Sequence, residues 1–253
     1  MRMRVGEAVM GRYDRQLIEF SAEEQESIRR SNIGVVGCGG LGTYVSTALA
    51  LAGVGKLVMI DPDVPEESNL NRQFVYCKHV LSGKKPKPKA ELMKEWIGSM
   101  NPEVETEAHV GRFTDESAHI FDGCDVMVDC LDSVSSRMTL NRYAVKTGKP
   151  LVHGAIDGFT GQLCTIIPRK TPCLRCMLGD LSDSGKTPAS IGSVAMTIGS
   201  LESTEVLKLV AGREDASRGR FFSYDFADGR VTPVDFQIDP DCPVCGPSPE
   251  HRI

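Results

Sequence analysis

The run Gly37-Cys38-Gly39-Gly40-Leu41-Gly42 constrains this chain more than any other feature. It follows a short apolar stretch (33–37), opens a small-residue stretch ending on glycine (41–53), and is succeeded by a second apolar stretch (56–61) that closes on Asp61. A G-x-G-x-x-G pattern between a strand and a helix is a turn whose missing side chains let the backbone approach a phosphate. The helix N-terminus behind it offers free N–H groups and the positive end of its dipole. Asp61 stands at the chain distance where an acid accepts hydrogen bonds from a ribose hydroxyl. The competing reading is a plain tight turn, and the flanking strand, helix and acid argue against it. The two apolar strands lack polar alternation, as strands do in a parallel sheet covered on both faces, and the crossover between them is expected to be right-handed. The expected fold class is therefore α/β: Rossmann-like, a mostly parallel doubly wound sheet.

The rest of the chain extends that pattern. Ser21-Ala22-Glu23-Glu24 has capping-box spacing, which predicts a helix to about residue 31. Residues 62–88 hold four prolines and many charges, too irregular for a plain crossover, and read as a functional loop region. A helix is expected near 89–100, a strand near 104–110, a helix around 115–121 and a buried strand over 125–131, then strands near 151–155 and 161–168. Residues 171–190 turn polar and Gly/Pro-rich, an exposed crossover. The apolar stretch 192–212 carries Glu202, Glu205 and Lys208, charges that a membrane span would place in hydrocarbon, so it reads as a buried or interface helix. The stretch 220–238 reads as two antiparallel C-terminal strands around an Asp228-Gly229 turn. A single continuous domain over 1–253 is expected, divided into an N-terminal arm and helix (1–31), a nucleotide-binding part (32–168), a crossover (169–190) and a C-terminal helix, hairpin and tail (191–253).

Composition bears on partners. A formal net charge of -5 gives no general attraction to nucleic acid or anionic lipid, so neither DNA nor a membrane is an expected partner. No signal-peptide pattern follows the first residues, and a cytoplasmic location is expected. Nine cysteines without a secretory signal point to thiols or metal rather than a disulfide framework. Four of them form two C-x-x-C pairs, Cys173/Cys176 and Cys242/Cys245, the usual way two turns offer four thiolates to a structural zinc. A redox C-x-x-C is the alternative, disfavoured by the presence of two pairs. Cys38, Cys77, Cys124, Cys130 and Cys164 sit in contexts that favour packing. His79, His109, His119, His153 and His251 have no motif around them and read as structural or solvent-exposed.

The glycine loop does not choose among NAD, FAD, S-adenosylmethionine and ATP. The following residues do: Asp63, then Ser68-Asn69-Leu70-Asn71-Arg72-Gln73, then Lys84-Lys85-Pro86-Lys87-Pro88-Lys89. A triphosphate that gives up its α-phosphoryl group needs several cations around the departing pyrophosphate, whereas a dinucleotide bridge needs few. Most of the lysines read as a solvated run, with at least one reaching phosphate. A nicotinamide or flavin oxidoreductase would share the loop and Asp61 but leave Arg72 and the lysines unexplained.

The set Arg12-Tyr13-x-Arg15-Gln16, Gly37-x-Gly39-Gly40-x-Gly42, Asp61-x-Asp63, Ser68-Asn69-Leu70-x-Arg72-Gln73 and Lys87-Pro88-Lys89-Ala90 resembles the MoeB/ThiF/HesA family, relatives of ubiquitin-activating enzymes, over nearly the whole chain. The resemblance implies ATP- and Mg2+-dependent adenylation of the C-terminal glycine of a ubiquitin-like sulfur-carrier protein ending in Gly-Gly, similar to MoaD or ThiS, with release of pyrophosphate and a separate sulfur donor protein. It implies that Gly37, Gly39, Gly40 and Gly42 hold ATP through the backbone and Asp61 holds the ribose, with Asp63, Ser68 and Asn69 beside them. Asn69 and Arg72 take the phosphate region, Lys89 is the phosphate lysine with Lys85 and Lys87 as alternatives, and Asp132 supports magnesium, with Ser133 where the family has Asn. Arg15 would reach the neighbouring subunit's ATP, which implies a homodimer. The resemblance also supports one Zn2+ held by both cysteine pairs. The chain departs from the pattern at 185–190, where many relatives carry a cysteine and this sequence has none, so no covalent cysteine step is expected there. Competing functions are a silent carrier-binding scaffold and adenylation of a peptide or a modified tRNA base.

Overall fold

A computed structural model describes residues 4–5, 8–9, 11–183, 185, 187–213 and 219–246. His251, the end of the tail and Lys186 of the crossover lie outside the described residues. The first elements are a two-residue ribbon, β1 (Arg4–Val5) with β2 (Ala8–Val9), and helix α1 (Ala22–Arg30). Ser21 and Glu24 form the expected reciprocal capping box at the start of α1.

Then come β3 (Asn32–Val36), α2 (Gly40–Ala52) and β4 (Lys56–Asp61), the expected βαβ unit. The proline-rich stretch contains two 3-10 turns (Glu67–Asn69 and Phe74–Tyr76) and a short helix, α3 (Cys77–Leu81). Helix α4 (Lys89–Met100) and strands β5 (Glu105–Val110) and β6 (Val126–Asp129) follow. The helix expected around 115–121 is only a 3-10 turn, Ala118–Phe121. The Ser117 hydroxyl bonds the Arg112 and Thr114 carbonyls just ahead of it, which favours a turn over a helical start. Helix α5 (Val134–Thr147) was not expected. Strands β7 (Leu151–Asp157) and β8 (Thr160–Ile166), the short α6 (Leu174–Leu178) inside the crossover, the long α7 (Gly192–Val210), β9 (Arg220–Asp225) and β10 (Arg230–Asp235) complete the chain.

The main sheet has eight strands in the order β10-β9-β8-β7-β6-β3-β4-β5. Five neighbours, β7 to β5, run parallel, and β8, β9 and β10 are added antiparallel. Successive residues of the central strands point to opposite faces, so each strand feeds two cores. Ile33, Val35, Leu57, Met59 and Val128 pack with α2, α4 and α7, whereas Val36, Val58, Ile60 and Met127 pack with α5, α6 and the tail. Helices on both faces are what make the strands apolar throughout.

Candidate active site

The strand order reverses between β3 and β6: the chain leaves β3 toward β4 on one side and returns at β6 on the other. In open α/β sheets the crevice outside the strand ends opens at such a point. Here the two loops beyond those strands touch. Gly37 has φ +101°, and a Cβ there would lie 2.5 Å from the carbonyl oxygen of Cys130; a Cβ on Gly42 would lie 2.0 Å from the Gly37 oxygen. Only glycine fits both positions. Gly39, the N-cap of α2, supplies no side chain to the helix end, and Gly39 and Gly40 are half-buried rather than sealed. The first N–H groups of α2 therefore have no side-chain cap from the residue that usually provides one.

Asp61, at the end of β4, is 6% exposed. One of its oxygens accepts the Cys38 N–H at 2.7 Å and the other the Asp63 N–H at 2.8 Å, so this acid braces the glycine loop from within. Burial pushes its carboxyl up from the ordinary range, opposed by those two N–H groups and by Lys89. A carboxylate has about four lone-pair sites, so two further hydrogen bonds remain open to it. Tyr76 donates its hydroxyl to the Cys38 oxygen at 2.6 Å and fixes the loop from the other side.

The basic cluster separates on inspection of its partners. Lys89 opens α4, is 5% exposed, and places Nζ 3.0 Å from an Asp63 carboxylate oxygen. Lys87 turns the other way, pairing with Glu95 and, at 3.8 Å, with Glu91. Lys84 and Lys85 are exposed. Arg72 lies along the glycine loop: a Cβ on Gly40 would sit 3.4 Å from its Cδ, and its Nη1 donates to the Ser68 carbonyl and the Asn71 side chain. The Asn69 side chain accepts the Glu66 N–H, capping its own turn. Sequence reasoning assigned no role to Gln73. It is 3% exposed, its Nε2 is 3.7 Å from a Cβ position on Gly39, and its Oε1 has no hydrogen-bond partner among the described residues. Its adjacency to Arg72 in the S-N-L-x-R-Q run was the available signal.

Asp132 and Ser133 occupy the turn between β6 and α5, the same turn whose Cys130 oxygen touches Gly37. Asp132 is exposed. Ser133 caps α5, its hydroxyl accepting the Ser136 N–H at 3.4 Å. A crossover residue that the sequence did not single out, Asp183, also caps this helix, accepting the Val134 and Ser135 N–H groups. The Ser135 side chain foremost, and then those N–H bonds, hold its carboxyl below the ordinary range. Arg15 is not brought to this site. Its neighbour Gln16 donates to the Ala52 carbonyl at the far end of α2, and a helix of 13 residues spans about 20 Å.

The two cysteine pairs do meet. The four Sγ atoms lie within 4.8 Å of one another, with Cys173 to Cys242 at 3.8 Å and Cys176 to Cys245 at 3.4 Å. A tetrahedron with metal–sulfur bonds of about 2.3 Å has sulfur edges of about 3.8 Å, so the cluster has the size and donor set of a closed centre with four thiolate ligands. Of the remaining cysteines, Cys38, Cys124, Cys130 and Cys164 are buried, and burial raises each thiol, Cys124 to about 12.

Comparison with known proteins gives a consistent result. Residues 13–244 match the ThiF family profile. The SAMP-activating enzyme E1 of Haloferax volcanii is 38% identical over 245 residues, covering 94% of this chain and 89% of that protein. The sulfur carrier protein adenylyltransferase of Thermus thermophilus is 34% identical over 263 residues, covering 99% and 96%. Among solved structures, E. coli MccB with ATP superposes with a TM-score of 0.79 at 23% identity, covering 96% of this chain and 76% of that one, which speaks to the fold. No helix among the described residues is long and apolar enough to cross a membrane.

Proposed function

The chain belongs to the ThiF family, and from this we propose that it is an adenylyltransferase that uses ATP to activate the C-terminal glycine of a small ubiquitin-like sulfur-carrier protein. The observation that carries the reading is one juxtaposition. A glycine-loop helix end without a side-chain cap, the Arg72 side chain lying along Gly40, and the Lys89–Asp63 pair all stand at the strand-order reversal. The names of the similar adenylyltransferases supply the acceptor class.

The residues present suit ATP. Gly39 leaves the α2 N-terminus open to an anion, and the unpartnered Gln73 oxygen next to it can accept a donor. Asp61 retains acceptor capacity for ribose hydroxyls. Arg72, Lys89 and the helix end would bind the phosphates; Asn69, Ser68 and Asp63 line the same segment. Asp132 would hold magnesium, which when bound neutralises phosphate charge. It suits that role as an exposed carboxylate with no side-chain hydrogen bond among the described residues, in the turn whose Cys130 oxygen touches the glycine loop.

The chemistry asks for positioning and cations rather than a base. The carrier's carboxylate oxygen attacks the α-phosphorus, the bond from that phosphorus to the bridging oxygen breaks, and pyrophosphate leaves with the electron pair. Two anions must be held together, so the main contribution is alignment together with positive charge at the leaving group. Arg72, Lys89 and the α2 N–H groups supply that charge within the chain, and Arg15 supplies it from a second copy in a homodimer. With no cysteine at 185–190, and with Cys38, Cys124, Cys130 and Cys164 buried and poorly ionised, the carrier adenylate is itself the activated acceptor for a separate sulfur donor protein. Zinc in the four-cysteine centre would clamp the tail and leave no coordination position for chemistry. The enzyme is assigned to the cytoplasm.

ATP–pyrophosphate exchange with magnesium and a panel of carrier proteins ending in Gly-Gly tests the reading, alongside Arg72→Ala. Carrier-dependent exchange, lost by at least about a hundredfold in the variant, is expected. ATP binding with no exchange for any carrier would overturn the acceptor assignment.

A further inference from the structure

The turn that carries Asp132 is built on a buried ion network. Asp129, at the end of β6, is fully buried. Its Oδ1 accepts the Leu131 N–H at 3.1 Å, and its Oδ2 accepts from Arg137 Nε at 3.0 Å and lies 2.7 Å from His153 Nδ1. Arg137, on the first turn of α5 and itself 9% exposed, donates through Nη2 to the Leu131 carbonyl at 2.6 Å. Both peptide groups of Leu131, the residue before Asp132, are thus pinned: the N–H through Asp129 and the carbonyl directly by Arg137. Ser133 on the other side is held by its role as N-cap of α5. Taking a guanidinium and a carboxylate out of water is costly, and such a pair persists where geometry and further hydrogen bonds repay it. The planar fork of Arg can bond the carboxylate and the carbonyl together, whereas a lysine ammonium is a point charge that would serve one of them.

We propose that Arg137 is a positioning residue for nucleotide activation: it sets the β6–α5 turn so that Asp132 meets the magnesium of Mg·ATP, and its loss acts through Asp132. The proposal rests on the reading of Asp132 given above.

The test is a double-mutant cycle on the full-length, zinc-loaded chain, reading ATP affinity by calorimetry with and without magnesium. Asp132→Asn is expected to abolish the gain in affinity that magnesium confers. Arg137→Lys is expected to reduce that gain about tenfold or more, since loss of an outer-shell partner of a metal ligand costs about 10- to 100-fold in metal affinity, while leaving affinity for ATP alone unchanged. The double variant is expected to match Asp132→Asn, because residues acting through one contact are not additive. Ile97→Ala, which opens a cavity at a fully buried position of α4, should lower the melting temperature without touching the magnesium gain. If Arg137→Lys does not fold, Arg137→Gln replaces it in the same cycle. An Asp132→Asn protein that keeps the magnesium gain overturns both the Asp132 assignment and the proposal. Loss in Asp132→Asn but not in the Arg137 variant overturns the proposal alone. So does an additive double variant, an equal loss for ATP without magnesium, or a similar loss of the magnesium gain in Ile97→Ala.

Discussion

Lys87 and Lys89 stand two positions apart in one basic run, yet their surroundings assign them to opposite sides of α4. Lys89 is buried against Asp63 beside the nucleotide loop, and Lys87 is spent on Glu91 and Glu95. Lys89→Ala should therefore reduce carrier-dependent pyrophosphate exchange by about a hundredfold or more, and Lys87→Ala should stay within about threefold, since exposed ion pairs contribute little. Steady-state exchange kinetics on both variants check this, and equal losses would contradict the division. The sequence could not separate these lysines, because which one reaches the loop depends on the residue at which α4 begins. The glycine loop and Asp61 were legible for the opposite reason. Their geometry is local, fixed by a strand, a turn and a helix contiguous in the chain. Asp183 was not assigned because the helix it caps starts 49 positions earlier in the chain, and Gln73 because it is folding that buries it against Gly39 of the glycine loop.

At the scale of elements, the packing of α7 on β7 was the hardest feature to foresee. The sequence showed Glu202 as a charge that disqualified a membrane span; it did not show that the carboxyl is fully buried against Gly154, where a Cβ would lie 2.4 Å from Glu202 Cδ. Both Glu202 oxygens lack hydrogen-bond partners among the described residues, and burial, with Asp129 nearby, pushes this carboxyl well above its ordinary range. The folded protein then keeps a proton that the unfolded chain releases above about pH 4.5. The native state binds more protons over that window, so stability falls as pH rises until the folded pKa is passed, by up to about 1.4 kcal/mol per pH unit for one proton. Glu202→Gln has no such loss. Its stability relative to the parent should be least favourable at pH 4 and improve as pH rises above about 4.5 in denaturant titrations; a difference that does not change with pH would contradict the assignment. Helix α5 was missed for a related reason. Its buried positions include Arg137 and Asn141 among Leu140, Tyr143, Ala144 and Val145, so the apolar periodicity that reveals a helix is interrupted by polar groups with work in the core. Asn141, for one, accepts the Leu174 N–H at the start of α6.

At the scale of the whole molecule, two proposed connections bear on the site. The first is the four-cysteine cluster, which ties the tail at 242–245 to α6. A strong chelator should remove one zinc per chain and lower the melting temperature, because a structural metal contributes its binding energy to the fold; metal analysis with thermal unfolding before and after treatment reads this directly. The second is the proposed homodimer. Arg15 is exposed near the far end of α2, about 20 Å from its own glycine loop, too far for a side chain to cross. If it completes the site of a partner, Arg15→Ala and Arg72→Ala damage different chains of each composite site. Mixing the two inactive proteins after gentle dissociation should then restore activity: half the dimers are mixed, and each mixed dimer has one of its two sites built from an intact Arg15 and an intact Arg72. Recovery of about a quarter of the parent exchange rate is expected for a symmetric dimer. Sedimentation of each variant as a dimer, with no recovery on mixing, would mean that Arg15 completes no nucleotide site.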